Sequence, residues 1–241
     1  MIYIKNISLE VPQEKKEEFP YSLPIFCDGL DLALKSDVTF FVGENGSGKS
    51  TFLESIAVAY GFNPEGGTKN FSFSTRVSHS DLCDYLRISQ GVRKARDGFF
   101  LRAESYFNLA TEIENLDKEP GGARIIDSYG GKSLHEQSHG ESFLALLNNR
   151  FGGNGVYILD EPEAALSPKR QLAMLSRMRT LVEKDSQFII ATHSPILLGY
   201  PGAQIFGFDE GKIKEIKYQE TDHYQITKDF LESPDAFLRY L

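Results

Sequence analysis

The chain has 241 residues, 41% of them hydrophobic and 25% charged, and a formal net charge of −8. Those values suit a globular fold and exclude a low-complexity chain or one whose bulk charge draws it to nucleic acid. Cys27 and Cys83 stand apart with no C-x-x-C and no nearby histidine pair, which argues against a disulfide framework or zinc site.

Residues 1–5 lack a signal-peptide pattern, and no apolar run approaches the length of about 18 residues needed to span a bilayer. A cytoplasmic protein without membrane insertion is therefore expected.

Residues 2–11 predict a strand, with Ile2, Ile4, Ile7, Leu9 and Val11 set among polar residues after one slip of register. Residues 12–24 are charged and bounded by prolines and predict a loop. Residues 25–34 predict a second strand or hairpin arm.

Residues 37–42, Asp-Val-Thr-Phe-Phe-Val, are almost unbroken in apolarity, as expected of a parallel strand buried on both faces. They run into Gly43-Glu44-Asn45-Gly46-Ser47-Gly48-Lys49-Ser50-Thr51, which fits G-x-x-x-x-G-K-[ST]. Residues 51–60 then carry apolar residues at helical spacing. Strand, glycine loop and helix N-terminus together predict a phosphate cradle: backbone N–H groups turn inward and the helix dipole adds positive potential. Lys49 is expected to reach the β- and γ-phosphates and the Ser50 hydroxyl to bind Mg²⁺.

Residues 61–80 predict a connecting loop. Residues 81–137 predict a more helical lobe, beginning with a capped helix at residues 81–86. A short buried strand over residues 99–102 is followed by a helix over 104–116, with Phe107, Ala110, Ile113 and Leu116 on one face. No heptad run is present, so no long coiled-coil arm is expected.

Two more buried strands are predicted over residues 156–159 and 187–191. Between them lies a helix with Ser167 as N-cap, Pro168 at its first position, and an apolar stripe of Leu172, Leu175, Met178 and Leu181. Asp209-Glu210-Gly211 predicts a hairpin between residues 205–208 and 212–216, and residues 223–241 predict a helix packed on the sheet.

Each buried strand ends at a polar motif, and in open α/β sheets ligands gather at the carboxyl ends of the strands. Asp160 is expected to support Mg²⁺, and Glu161 to polarise an attacking water as general base. His193 follows the next strand, where it can hydrogen-bond the γ-phosphate or the water. Ser138 and Glu141 fit a capping box. The same helix N-terminus fits an anion, and spacing alone favours neither reading.

The order of these motifs resembles an ABC-type ATPase head. The Walker A motif is at residues 43–51, the signature at 138–142, the Walker B at 156–161, the D-loop at 164–167 and the switch histidine at His193. More closely, the chain resembles small bacterial AAA/ABC-type ATPases related to the SMC, RecF and OLD group. The resemblance implies an α/β P-loop NTPase: a mainly parallel central sheet flanked by helices, an antiparallel β portion and a helical lobe. It implies one domain over residues 1–241, with the helical signature lobe inserted at about 81–150.

It further implies an ATP hydrolase whose two subunits sandwich two ATPs as a homodimer. Gly43, Asn45, Gly46, Ser47, Gly48, Lys49, Ser50 and Thr51 would bind one nucleotide, and Ser138 and Gly140 would close on the nucleotide of the other subunit. His139 replaces the usual first glycine of the signature and Glu141 its glutamine. With Glu163 and Pro168, these departures fit SMC-like heads better than transporters.

The Q-loop glutamine is missing. Glu104 reads either as its stand-in near the metal or as a salt-bridged structural residue, and Arg102 either as a phosphate contact or as the same kind of structural residue. Tyr21 and Phe26 are weak candidates for stacking on adenine.

Residues 87–102 hold Arg87, Arg93, Lys94, Arg96 and Arg102 against Asp97 alone. That excess reads as a solvated loop or as a contact for DNA or a protein partner. DNA maintenance, repair or defence is the expected task. The alternatives are the nucleotide-binding subunit of a transporter and an ATP-gated protein-binding switch with slow turnover.

Overall fold

The computed structural model describes residues 1–69, 80–102, 106–118 and 124–239, with residues 106–109 described by backbone alone. Its strands are β1 Ile4–Leu9, β2 Leu30–Ala33, β3 Val38–Gly43, β4 Leu86–Gln90, β5 Asp97–Arg102, β6 Gly155–Asp160, β7 Gln187–Ala191, β8 Gln204–Asp209 and β9 Lys212–Ile216. The helices are α1 Lys49–Ala59, α2 Tyr106–Leu116, α3 His139–Ala145, α4 Pro168–Val182, α5 Pro195–Leu198, α6 Asp222–Glu232 and α7 Pro234–Leu238.

The central sheet has the order β5-β6-β7-β3-β8-β9. Its strands run parallel from β5 to β8, and β9 returns antiparallel through the turn at Glu210 and Gly211. Alternate residues of its inner strands face opposite layers, as the pleat requires. Phe40, Tyr157, Leu159, Phe188 and Ile190 pack toward α3, α4 and α5. Phe41, Val156, Ile158, Ile189 and Ala191 pack toward α1 and the second sheet. Burial on both faces explains why β3, β6 and β7 are continuous apolar runs.

The second sheet, β2-β1-β4, is wholly antiparallel. Two buried glutamines stitch it to the central sheet. Gln187 Oε1 accepts the N–H groups of Tyr3 and Ile4, each at 2.8 Å, and its Nε2 donates to the Ile4 carbonyl at 2.9 Å. Gln204 Oε1 accepts the Lys35 N–H at 2.8 Å, and its Nε2 donates to the Ala33 carbonyl at 3.1 Å.

Several local expectations are corrected. Residues 81–86 do not open a helix: Ser80 caps a single 3₁₀ turn, Asp81–Tyr85, which leads directly into β4. Within residues 25–34 only Leu30–Ala33 is strand.

The buried side of α4 is Gln171, Met174, Met178 and Leu181, and Leu172 is 59% exposed. The C-terminal helices do not bury a face on the sheet. Neither α6 nor α7 has a buried residue, and Ile226, Phe230, Leu231, Phe237 and Leu238 are exposed. No helix among the described residues is long and apolar enough to cross a membrane.

Candidate functional site

The loop after β3 curls tightly enough to need glycine. Gly46 and Gly48 have φ of 78° and 92°, left-handed values that side chains resist. A Cβ on Gly48 would also come within 2.8 Å of Ile25 Cδ1. Gly43 ends β3, Asn45 and Gly46 are exposed at the tip, and Ser47 and Thr51 are half-buried at the base.

Lys49 is 4% exposed. Its Nζ donates to the carbonyls of Gly43 and Glu44, both at 2.8 Å. Burial pulls the Lys49 pKa down, while the charges of Glu161, Asp160, Glu44 and Glu163 act in the opposite direction.

Asp160 ends β6, two strands away from β3, and accepts a 3.1 Å hydrogen bond from the Ser50 hydroxyl. Their oxygens suit a small hard cation, which needs only one or two protein ligands beside phosphate and water.

Glu161 has φ of 47°, and its N–H donates to the Ala191 carbonyl at 2.9 Å. This turn brings Glu161 Oε1 to 3.6 Å from His193 Nε2. His193 in turn donates its backbone N–H to Glu163 Oε1 at 2.6 Å. Burial raises the Glu163 pKa, opposed by the hydrogen bond from the His193 N–H.

A second histidine, absent from the sequence reading, completes this cluster. His193 Nδ1 lies 3.0 Å from His223 Nε2. Nothing local marks His223 in the sequence, because its partner lies 30 positions earlier. A cleft of about 240 Å³ runs beside it, lined by Gly43, Glu44, Lys212, Lys214 and Asp222.

Lys49, Ser50, Asp160, Glu161 and His193 thus share one region, at the carboxyl ends of β3, β6 and β7. Ser138 and Gly140 belong to a neighbouring assembly. Ser138 donates its N–H and hydroxyl to Glu141 Oε2 at 3.1 and 2.7 Å, and this capping box holds the Glu141 carboxyl below its usual range. Arg170 sits 3.5 Å from Glu141. Gly140 is buried against the D-loop: a Cβ there would meet the Ala165 carbonyl at 2.7 Å and Arg170 Nη1 at 2.3 Å. His139, Phe143, Asp160 and Glu161 line a cleft of about 210 Å³ between the two assemblies.

Glu104 lies outside the described residues. Arg102 is paired with Glu54 at 2.7 Å, which gives it a structural partner. Tyr21 and Phe26 are both fully buried, so neither offers a ring face to a base. Tyr21 donates to Asp81 at 2.8 Å, and Phe26 packs against Phe52.

An AAA-domain family model matches residues 23–135, and a second, described as "AAA domain, putative AbiEii toxin, Type IV TA system", matches residues 134–199. Together they run from before the phosphate loop to beyond His193, over the sheet order and motifs described above. The chain has the fold of an ABC-type ATPase head.

This head is 24% identical over 234 residues to an uncharacterized ABC transporter ATP-binding protein of Haemophilus influenzae, covering 86% of this chain and 84% of the relative. The dimeric structure of MJ0796, a bacterial ABC transporter cassette, matches with a TM-score of 0.52 at 18% identity, covering 92% and 100% of the two chains. An SMC head bound to the C-terminal winged-helix domain of ScpA matches at 0.51 and 14%, covering 89% and 97%.

Proposed function

We propose that this ABC-type head hydrolyses ATP with Mg²⁺ and does so as a homodimer. The observation that carries this reading is the convergence of Lys49 with two pairs: Ser50 with Asp160 at 3.1 Å, and Glu161 with His193 at 3.6 Å. In this reading the loop N–H groups from Gly43 to Thr51 and the Lys49 ammonium bind the phosphates. Ser50 and Asp160, with Glu104, would hold Mg²⁺, which would offset the phosphate charge.

Glu161 takes a proton from the attacking water, a role worth about 10²–10⁴ in rate. His193 Nε2 holds the terminal phosphate. Ser138, exposed at the start of α3, closes with Gly140 on the nucleotide of a second copy. The dimeric structure of the MJ0796 cassette supports a homodimer.

For the cellular task, DNA maintenance, repair or defence in the cytoplasm is the first reading. His139 and Glu141 in the signature, with Glu163 and Pro168 on either side of the D-loop, support it, as does the likeness to an SMC head. Arg93, Lys94 and Arg96 are exposed on the loop between β4 and β5. That loop lies at the amino ends of the parallel strands, so a DNA or protein partner there would act at the face opposite the nucleotide. A transporter subunit is the second reading, favoured by the Haemophilus relative.

The test is ATP turnover with and without DNA, using Glu161→Gln as control. Turnover that DNA stimulates and the variant lacks supports a DNA-linked ATPase. Turnover indifferent to DNA keeps the ATPase and favours a protein or transporter partner. Turnover retained by the variant overturns the role of Glu161.

A further inference from the structure

His223 stands at the second position of α6, a helix that is otherwise almost wholly solvated. Its first turn is nevertheless firmly placed. Thr221, 2% exposed, caps the helix by accepting the Tyr224 N–H at 3.2 Å, and its hydroxyl donates to the Tyr218 carbonyl at 2.8 Å. Tyr218 donates to the Pro195 carbonyl at 2.8 Å, two residues beyond His193, and Tyr224 packs edge-on against its ring. This frame delivers the His223 imidazole to His193, with ring centroids 5.1 Å apart.

The 3.0 Å contact between His193 Nδ1 and His223 Nε2 needs one proton between the two nitrogens, and the position of Glu161 indicates which of them carries it. Were His193 protonated on Nδ1, its Nε2 lone pair would face the Glu161 carboxylate at 3.6 Å, acceptor against acceptor. With the proton on His193 Nε2, that N–H faces the carboxylate instead, and Nδ1 accepts from His223 Nε2–H. His193 Nε2 is buried and, among the described residues, has no hydrogen-bond partner, so this N–H is available to a ligand.

We infer that His223 is a positioning residue: it donates Nε2–H to His193 Nδ1 and holds His193 in the tautomer that presents Nε2–H to the phosphate site. This rests on the proposed role of His193 in ATP hydrolysis. The tautomer, however, belongs to the nucleotide-free protein and can be read without turnover. Partners that fix the tautomer and orientation of metal-ligating imidazoles matter by about 10–100-fold, and an effect on that scale is expected here.

The experiment compares His223→Ala and His223→Gln with the unchanged protein. The glutamine amide can donate where Nε2–H does. Long-range ¹H–¹⁵N spectra of the nucleotide-free proteins are expected to show His193 protonated on Nε2 in the parent and in His223→Gln, and a mixture of tautomers in His223→Ala. ATP turnover should fall about tenfold or more in His223→Ala with KM nearly unchanged, and recover in His223→Gln.

An unaltered His193 tautomer in His223→Ala overturns the inference, as does equal impairment of the two variants at equal melting temperature. A parent protein without ATPase activity defeats the proposed function alone, and the spectra still decide the role of His223.

Discussion

Glu163 and His193 are joined by a 2.6 Å hydrogen bond from the histidine's backbone N–H to the glutamate's carboxyl oxygen. The turn after β6 and the turn after β7 are therefore tied through one buried carboxyl. Any displacement of the D-loop, which begins one residue beyond Glu163, is felt at His193.

Because burial raises the Glu163 pKa, the folded chain binds more protons than the unfolded chain between the ordinary carboxylate value and the raised one. Stability must fall as pH rises through that window. Glu163→Gln keeps an acceptor for the His193 N–H and removes the ionisation. Melting temperatures from about pH 4 to about pH 7 should decline less steeply in this variant than in the parent.

Gly48→Ala should destabilise the fold and weaken nucleotide binding together. The left-handed φ of 92° and the 2.8 Å approach to Ile25 both oppose a side chain, and such a residue costs about 1–3 kcal/mol. Chemical denaturation and titration with a fluorescent ATP analogue would measure the two effects. Parent-like values in both would show that the loop relaxes freely.

The Ser194 hydroxyl donates to Gln171 Oε1 at 2.5 Å, and Gln171 Nε2 donates to the Leu166 carbonyl at 3.0 Å. Gln171→Leu strands both partners in the interior, at a cost of about 1–3 kcal/mol for each group left unsatisfied. The denaturant midpoint should drop with an unchanged slope.

Ile226→Ser and Leu231→Ser should change stability by no more than about 0.5 kcal/mol, since these side chains are 59% and 71% exposed. Thermal denaturation of the purified variants checks this. A large loss would mean that α6 is covered in solution.

The sequence shows β3, β6 and β7 clearly, because strands buried on both faces leave unbroken apolar runs. It also shows the residues of the phosphate loop and the Asp160-Glu161 pair, since one strand end places each of them. β4 is harder to see. Leu86 and Ile88 do alternate with Arg87 and Ser89, but they follow an acidic, Ser80-capped turn that has the chemistry of a helix start.

The first half of the α4 stripe reads one step out of phase because Gln171, a polar residue, takes an inward position to bind Ser194, whereas Met178 and Leu181 are buried as expected. The apolar residues of α6 have the same spacing whether a helix meets a sheet or water, so its exposure is not written in that pattern. His223 becomes visible only when the chain folds back on His193.

The two glutamine stitches have a consequence for engineering. The antiparallel sheet and the central sheet are joined at Ile4 and at Ala33–Lys35 by side-chain amides from β7 and β8. A chimera that grafts a foreign antiparallel sheet onto this core must therefore offer matching backbone donors and acceptors at those two places. Residue-for-residue similarity elsewhere in the graft will not compensate, because Gln187 would be sealed in without these partners and Gln204 would keep only its bond to Glu215.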